Sequence, residues 1–354
     1  MVLHAHTKSK DCQCKRWQDE GELSSSDRYS IQCCQELPDK RLIVGCTDGE
    51  LRILDLEMIE RDDKEKPMSI PAHESNAGSG VRCMWLYPPW LITRGDDGQL
   101  CVWDVDSVSS TGRLVPSCTI AVPGRDGIQG IYSLCYDVSA GLVVGYYDGQ
   151  MHIHHLDTFE GNISHEPTQE LQVHTDCVSS LCILSGCRIV SASFDGSFCV
   201  WAKPDRHMLT MEEAAAGDDK RFKVSHHNDQ AHTSAITQVL DLGNGTMVTA
   251  SYEMRLAVWS TEAVGNTVGE YVLVAKLRGH ETFTRCIGNF HTRPIGTTLL
   301  CVSGGGDRKL CVWDEAHSLI ATADHGGSIP STLFQHSRGK IITTGTDGKL
   351  RIWV

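Results

Sequence analysis

Seven stretches of this chain repeat one pattern: an apolar run, a tight turn, then a second apolar run closing on tryptophan. The fullest copies are Leu91–Asp104, with Trp103, and Ile189–Trp201. Val248–Trp259, Leu300–Trp313 and Ile341–Trp353 follow the same plan, and two degenerate copies carry Leu54 and His154 in the tryptophan's place. Aligned on that residue, the copies stand at 54, 103, 154, 201, 259, 313 and 353, in steps of 49, 51, 47, 58, 54 and 40. A repeat of this length is one supersecondary unit; it cannot bury its apolar face alone and must stack on its neighbours. The 354 residues therefore read as one array, and not as the two domains that length alone suggests.

Within each unit the side chains alternate with period two, the mark of a strand: Leu350 and Ile352 share one face, Arg351 and Trp353 the other. Asp-Gly joins the two strands at Asp48, Asp97, Asp148, Asp195 and Asp347, and reads as a hairpin turn in which both residues tolerate positive φ. Asp307-Arg308 and Glu253-Met254 replace it in two copies. Another strand lies upstream of each hairpin, as in Val81–Leu86 and Val178–Ile183, and before it comes a histidine: His73, His174, His232, His280 or His325. Units of about 40–45 residues built from short strands predict an all-β, seven-bladed β-propeller.

The expected layout is a closing strand at 1–6, a first blade at 7–58, blade regions at 69–107, 118–158, 169–203, 230–262 and 271–317, and a last blade at 318–354. Trp353 is followed by one residue, so Val2–His6, which matches Ser69–His73, is expected to supply the last blade's outer strand and leave few open edges. Insertions are expected at Glu57–Pro71, Thr158–Gln169 and Lys203–Gln230, the last with a short helix at Leu209–Ala216.

The histidine, a serine or threonine four residues before the turn aspartate, the aspartate and the tryptophan together resemble the WD-repeat family over almost the whole chain. His174, Ser191, Asp195 and Trp201 form one full set, and His280, Ser303, Asp307 and Trp313 another. The resemblance implies that each set is a hydrogen-bond network stiffening its blade. Serine, histidine and aspartate also suggest a hydrolase triad, but that chemistry needs a serine exposed to substrate beside its base. A constellation that recurs around an array is structural, so no catalytic residue is expected and the chain reads as no enzyme. Cys12, Cys14, Cys33, Cys34, His226 and His227, with the cluster His152, His154 and His155, are the densest metal-ligand types. They lack the paired spacing of a four-ligand zinc site, so no metal and no cofactor is expected. Gly304–Gly306 precede a hairpin and not a helix, which excludes a phosphate cradle.

A net charge of −13 disfavours a nucleic-acid footprint; Lys8, Lys10, Lys15, Arg16 and the trio Lys220, Arg221 and Lys223 read as solvated loop residues. No apolar run approaches the ~20 residues of a membrane helix, and Met1–Lys8 lacks the apolar core of a signal peptide. Of the 16 cysteines, Cys101, Cys199 and Cys311 each stand two residues before a repeat tryptophan, where they read as packing thiols of a reduced cytoplasmic or nuclear protein.

For function, the resemblance implies partner contacts on the top face at two recurrent positions. One precedes the turn aspartate: Thr47, Asp96, Tyr147, Phe194, Tyr252, Gly306 and Thr346. The other follows the first apolar residue of the inner strand: Gln32, Arg82, Tyr132, Ser179, Thr237, Arg285 and Pro330, with Phe283 beside Arg285. Arg82, Tyr132, Tyr147, Phe194, Tyr252, Phe283 and Arg285 are the candidate partner-binding residues, since aromatics and arginine dominate binding hot spots. Two arginines flanking an aromatic arc suit a ligand with an acidic or phosphorylated group beside an apolar anchor. The reading is a noncatalytic scaffold or adaptor for protein or peptide partners, within a multiprotein complex. Alternatives are a substrate-recognition subunit of a ubiquitin ligase and a component of a ribonucleoprotein assembly. The first of these often carries Trp-Asp-x-Arg, whereas Trp103 and Trp313 are followed at that place by Asp106 and Ala316.

Overall fold

The computed structural model describes residues 29–55, 68–73, 80–107, 114–121, 130–157, 159–184, 186–204, 221–243, 245–261, 271–289, 299–326, 329–337 and 339–353. The first three sheets join β1 (Ile31–Glu36), β2 (Leu42–Cys46), β3 (Glu50–Leu54) and β4 (Met68–Pro71); β5 (Val81–Tyr87), β6 (Trp90–Gly95), β7 (Gln99–Asp104) and β8 (Val115–Ala121); and β9 (Ile131–Asp137), β10 (Gly141–Tyr146), β11 (Gln150–His154) and β14 (Gln169–Gln172). The short strands β12 (Leu156–Asp157) and β13 (Asn162–Ile163) lie between β11 and β14 in the chain. Sheet 4 holds β15 (Val178–Leu184), β16 (Arg188–Ser193), β17 (Phe198–Ala202) and β18 (Lys223–Asn228). Sheet 5 holds β19 (Ile236–Gly243), β20 (Thr246–Ser251), β21 (Arg255–Ser260) and β22 (Val272–Arg278). Sheet 6 holds β23 (Thr284–Gly288), β24 (Leu299–Gly305), β25 (Lys309–Asp314) and β26 (Leu319–Asp324), and sheet 7 holds β27 (Pro330–Gln335), β28 (Ile341–Gly345) and β29 (Leu350–Trp353).

The strand that opens each repeat thus pairs with the hairpin before it. Ile70 sits opposite Leu51, and Leu277 opposite Leu256. The stretch Lys203–Gln230, expected as an insertion, ends in β18, the outer strand of sheet 4. The expected closing strand at 1–6 and the helix at Leu209–Ala216 lie outside the described residues.

The turns depart from the expected geometry. Positive φ is found at Gly49, Gly98, Gly149, Gly196 and Gly348, and at Met254 and Arg308 where glycine is missing, but at none of the turn aspartates. Each is a tight turn closed by a bond such as Gly49 N–H to the Cys46 carbonyl at 3.2 Å, with one left-handed residue after it. The aspartate stays at negative φ because its carboxylate accepts the N–H two residues on, as Asp97 does from Gln99 at 3.0 Å and Asp307 from Lys309 at 3.1 Å. The residue before the aspartate occupies the turn's first corner, so its side chain is carried outward.

Sheets 1, 2, 6 and 7 belong to one compact unit, and sheets 3, 4 and 5 to a second. Within each unit neighbouring sheets share an apolar core: Leu51, Ile53, Val81 and Trp103 between sheets 1 and 2, and Val200, Phe198, Ile236 and Trp259 between sheets 4 and 5. Small polar side chains on the inner strands bond the first carbonyl of the next sheet. Ser133 Oγ donates to Val178 at 2.7 Å, Ser179 Oγ to Ile236 at 2.5 Å, and Ser331 Oγ to Ile31 at 2.5 Å. Gly145 makes room for one such approach, since a Cβ there would sit 2.5 Å from Ser133 Oγ. Thr332 Oγ1 adds a bond to the Gln32 carbonyl at 3.1 Å, so inner strands directly tie the last sheet to the first.

Candidate partner-docking face

Two backbone devices build the candidate surface. The first is the turn corner just described. Its N–H is fixed to the strand entry beside it, as in Phe194 to the Cys177 carbonyl at 2.9 Å and Tyr252 to the Ala235 carbonyl at 2.9 Å. The second is a bulge. Pairing of the inner strand slips after its first residue, between Ile31 and Cys33, Val81 and Cys83, Val178 and Ser180, Ile236 and Gln238, and Thr284 and Cys286. A bulged residue is left out of the ladder and re-aimed, which puts Gln32, Arg82, Ser179, Thr237 and Arg285 at one equivalent position.

Two expectations at this position are corrected by the pairing. Pro330 pairs with Gly345 and the slip follows it, so the seventh member is Ser331. Proline takes the first ladder position, so the apolar pattern runs one residue out of phase there. Ser179 is buried and spends its hydroxyl on the Ala192 and Ile236 carbonyls, so it serves packing.

In the second unit the structure brings the aromatic candidates together. Tyr132 meets Tyr147 edge-on at 5.9 Å between ring centroids and Phe194 edge-on at 5.3 Å, and Phe194 meets Tyr252 at 6.1 Å. The four rings form one continuous series, Tyr147–Tyr132–Phe194–Tyr252, drawn from three consecutive sheets. Tyr132, Tyr147 and Tyr252 remain 36%, 48% and 47% exposed. Edge-to-face packing fixes the rings without covering them.

The candidates in the other unit are differently occupied. Arg82 Nε donates to Asp96 Oδ2 at 2.7 Å, so its charge is met within its own sheet. Phe283 is half-buried and its ring fills the space a side chain would take at Gly306, where an added Cβ would lie 2.5 Å from it. Arg285 is half-buried in its bulge.

Beneath these positions lies a repeated network. Trp103 Nε1 donates to Thr93 Oγ1 at 2.9 Å, Thr93 meets His73 Nε2 at 3.1 Å, and His73 Nδ1 reaches Asp97 at 3.0 Å. Trp313, Ser303, His280 and Asp307 repeat the chain at 2.9, 2.8 and 3.1 Å. In sheet 4 Ser191 receives Trp201 at 2.9 Å and meets His174 at 2.7 Å; Ser197 bridges His174 to Asp195 at 2.8 and 2.6 Å. Trp259, Thr249, His232 and Glu253 make the fourth set at 2.9, 2.6 and 2.9 Å.

The profile described as "WD domain, G-beta repeat" matches residues 165–202 and 271–314, the segments that carry two of these four sets. The crystal structure of the WD40 beta propeller domain of Doa1 superposes with a TM-score of 0.63 and 18% identity, covering 92% of this chain and 96% of that one. The chain has the β-propeller fold, and the two matched segments carry the WD-repeat pattern. Sheets 1 to 7 are the blades, and β12 and β13 pair as a separate two-stranded sheet. Cilia- and flagella-associated protein 52 of Chlamydomonas reinhardtii is 25% identical over 178 residues, 48% of this chain. The match spans 23% of that relative's own length.

The serine, histidine and aspartate of sheet 4 are placed as packing and not as a hydrolase triad. Ser191 is fully buried and its oxygen is already engaged by the Trp201 indole. Burial alone would raise the Asp195 carboxyl, but hydrogen bonds from His174, Ser197 and Thr175 outweigh it and hold it far below the usual carboxylate range. Burial likewise opposes ionisation of Glu253, yet bonds from Thr233 and His232 keep it at about 2. Burial pushes His232 and His280 down, toward the neutral ring. Blades 1 and 7 satisfy the turn aspartate from another side: Arg52 clamps Asp48 at 3.1 and 2.5 Å, and Arg351 clamps Asp347 at 3.2 and 2.5 Å.

Blade 3, like blade 1, lacks the hydroxyl and the tryptophan of the repeat. Val144 stands where blades 2, 4, 5, 6 and 7 have serine or threonine and blade 1 has Val44, and Tyr146 stands where blades 2 and 6 have Gly95 and Gly305. A Cβ at Gly95 would sit 2.4 Å from His73, so a side chain at that position points into the histidine's space. His154 Nδ1–H donates to the Ser164 carbonyl at 2.9 Å, and the Tyr146 ring packs tilted against His152, with centroids 4.6 Å apart. Tyr146 Oη, His152 Nε2 and His154 Nε2 are buried with no hydrogen-bond partner among the described residues.

Proposed function

We propose that this WD-repeat propeller is a noncatalytic scaffold or adaptor that docks protein or peptide partners through Tyr147, Tyr132, Phe194 and Tyr252. One observation carries the reading: four large rings touch in series while three of them keep a third to a half of their surface in solvent. Single exposed aromatics need no explanation, but a contiguous rigid patch marks a contact surface. Tyrosine in such a patch contributes area at little entropic cost, since it has few rotamers to lose.

The test compares wild type with the double variant Tyr132→Ala, Tyr252→Ala by affinity purification and mass spectrometry, with melting temperatures measured in parallel. Both side chains are exposed, so the fold should be unaffected while a defined group of partners disappears. An unchanged partner set at unchanged stability sinks the proposal. The partners recovered also separate an adaptor from a ubiquitin-ligase receptor or a ribonucleoprotein component. Among the described residues no helix is long and apolar enough to cross a membrane, and the cysteines are free thiols, which supports placement in a reducing compartment. A ciliary or flagellar assembly is a second reading, favoured by the Chlamydomonas match. A tagged chain that stays diffuse in ciliated cells removes it.

A further inference from the structure

The chemistry around the aromatic series differs from the arginine-flanked arc that the sequence suggests. Blades 3 to 5 place Tyr132, Ser179 and Thr237 second in their inner strands and Tyr147, Phe194 and Tyr252 at the turn corners, and none of these is cationic. Each corner aromatic is followed directly by a carboxylate: Asp148, Asp195 and Glu253. Asp176 adds a fourth beside Phe194, because it immediately precedes Cys177, whose carbonyl holds the Phe194 N–H at 2.9 Å. Asp176 is exposed, and its carboxylate accepts the neighbouring Cys177 N–H at 2.7 Å.

The counter-charges available to these four groups are few. Within ion-pair distance among the described residues, Asp195 has His174 at 3.4 Å, and Glu253 has His232 at 2.9 Å and Lys276 at 4.0 Å. Asp148 and Asp176 have none. All four carboxylates lie within a residue or two of a ring, inside the roughly 10 Å over which salt fails to screen them. An aromatic ring presents a negative face, so rings and carboxylates here reinforce one sign of field. Arg82 does not offset it as a free cation, being paired with Asp96 in its own blade.

Resting on the docking face proposed above, we propose that the aromatic series takes a cationic side chain, arginine or lysine, presented by an extended partner segment. The ammonium or guanidinium group lies over the exposed faces of Tyr147, Tyr132 and Tyr252, with Asp148 and Asp176 supplying the opposing charge. An acidic or phosphorylated segment meets repulsion at the same place.

Fluorescence anisotropy with three labelled peptides, Gly-Ser-Leu-X-Leu-Ser-Gly with X as arginine, glutamate or phosphoserine, tests this on the full chain at low salt. The arginine peptide should bind at least about tenfold tighter than the other two, and Tyr132→Ala or Tyr252→Ala should each weaken it about tenfold. Tyr252→Phe should retain binding, because the π face and not the hydroxyl makes the contact. Asp148→Asn with Asp176→Asn should weaken the arginine peptide and flatten its salt dependence. Preferential binding of the glutamate or phosphoserine peptide, lost in Tyr132→Ala, overturns the cation reading and leaves the docking face standing. Binding by none of the three, or binding untouched by both alanine variants, also overturns it, and partner recovery with the same variants then decides separately whether the face docks anything.

Discussion

Replacing Ser191 with alanine tests whether the serine–histidine–aspartate sets hold the blades together. Ser191 is fully buried, receives the Trp201 N–H at 2.9 Å and meets His174 Nε2 at 2.7 Å. Ser191→Ala removes one hydroxyl but orphans two buried groups, each costing about 1–3 kcal/mol. Alanine has no polar atom of its own to satisfy, which offsets part of this, so the expected loss is about 2–4 kcal/mol. Trp201→Phe keeps most of the ring and removes one donor, for about 1–2 kcal/mol. Once that donor is gone, Ser191→Ala orphans only the histidine, so the double variant should fall short of the sum by about 1 kcal/mol. Urea denaturation of the four proteins measures the cycle, provided the slope is shared and only the midpoint moves. A Ser191→Ala cost under about 0.5 kcal/mol, or strict additivity with Trp201→Phe, refutes the network as the source of stability.

Stability should also fall on acidification, in two stages of the same sign. Burial keeps His232 and His280 neutral in the fold while the unfolded rings take protons below their ordinary value of 6.5, so stability is complete above that pH and declines beneath it. Glu253, held at about 2 against an ordinary 4.5, contributes stability above pH 4.5 that is lost as pH falls toward 2, and Glu253→Gln should flatten that stage of the melting-temperature profile. Ser331→Ala with Thr332→Val should lower the melting temperature, since each removes one tie between blades 7 and 1 worth about 1 kcal/mol; equal melting would deny those bonds a role. Arg308→Gly should stabilise by about 1 kcal/mol, because Arg308 holds φ at 66° where glycine is unstrained; a drop in the denaturation midpoint would count against that account. Tyr146→Phe should be neutral or stabilising by calorimetry, as the hydroxyl it removes is buried without a partner among the described residues.

What the sequence made legible follows from where each signal is local. Period-two alternation ending on Trp103, Trp201, Trp259, Trp313 and Trp353 places the inner hairpins, because strand periodicity and the tight turn are encoded within a dozen residues. The outer strands carry weaker signals: β18 and β22 are largely exposed, so no apolar stripe distinguishes Lys223–Asn228 from a loop. The aromatic candidates were legible by position alone. Their contact was not, since Tyr132, Phe194 and Tyr252 come from blades separated by about sixty residues of chain and meet only when the blades stack.

The misread features share a different cause, in that one residue can satisfy the same pattern through two backbone geometries. Asp-Gly fits a turn with two left-handed residues, yet the aspartate's own carboxylate captures the N–H two positions on and keeps it right-handed. Arg82 fits an anion site until the fold sets Asp96 2.7 Å away, across a turn corner whose occupant is free to vary. Blade 3 shows the converse. Val144, Tyr146, His152 and His154 break the repeat at four places, which reads as decay, but the substitutions fit one another: losing the hydroxyl removes the indole's acceptor, and a tyrosine occupies the direction the histidine takes elsewhere. A blade without the network still stacks because its apolar residues, Leu142, Val143, Ile153 and Leu171, remain buried. The corner it presents, Tyr147, belongs to the docking face, so these mutually fitted departures from the repeat lie directly beneath one end of the surface that the partner is proposed to touch.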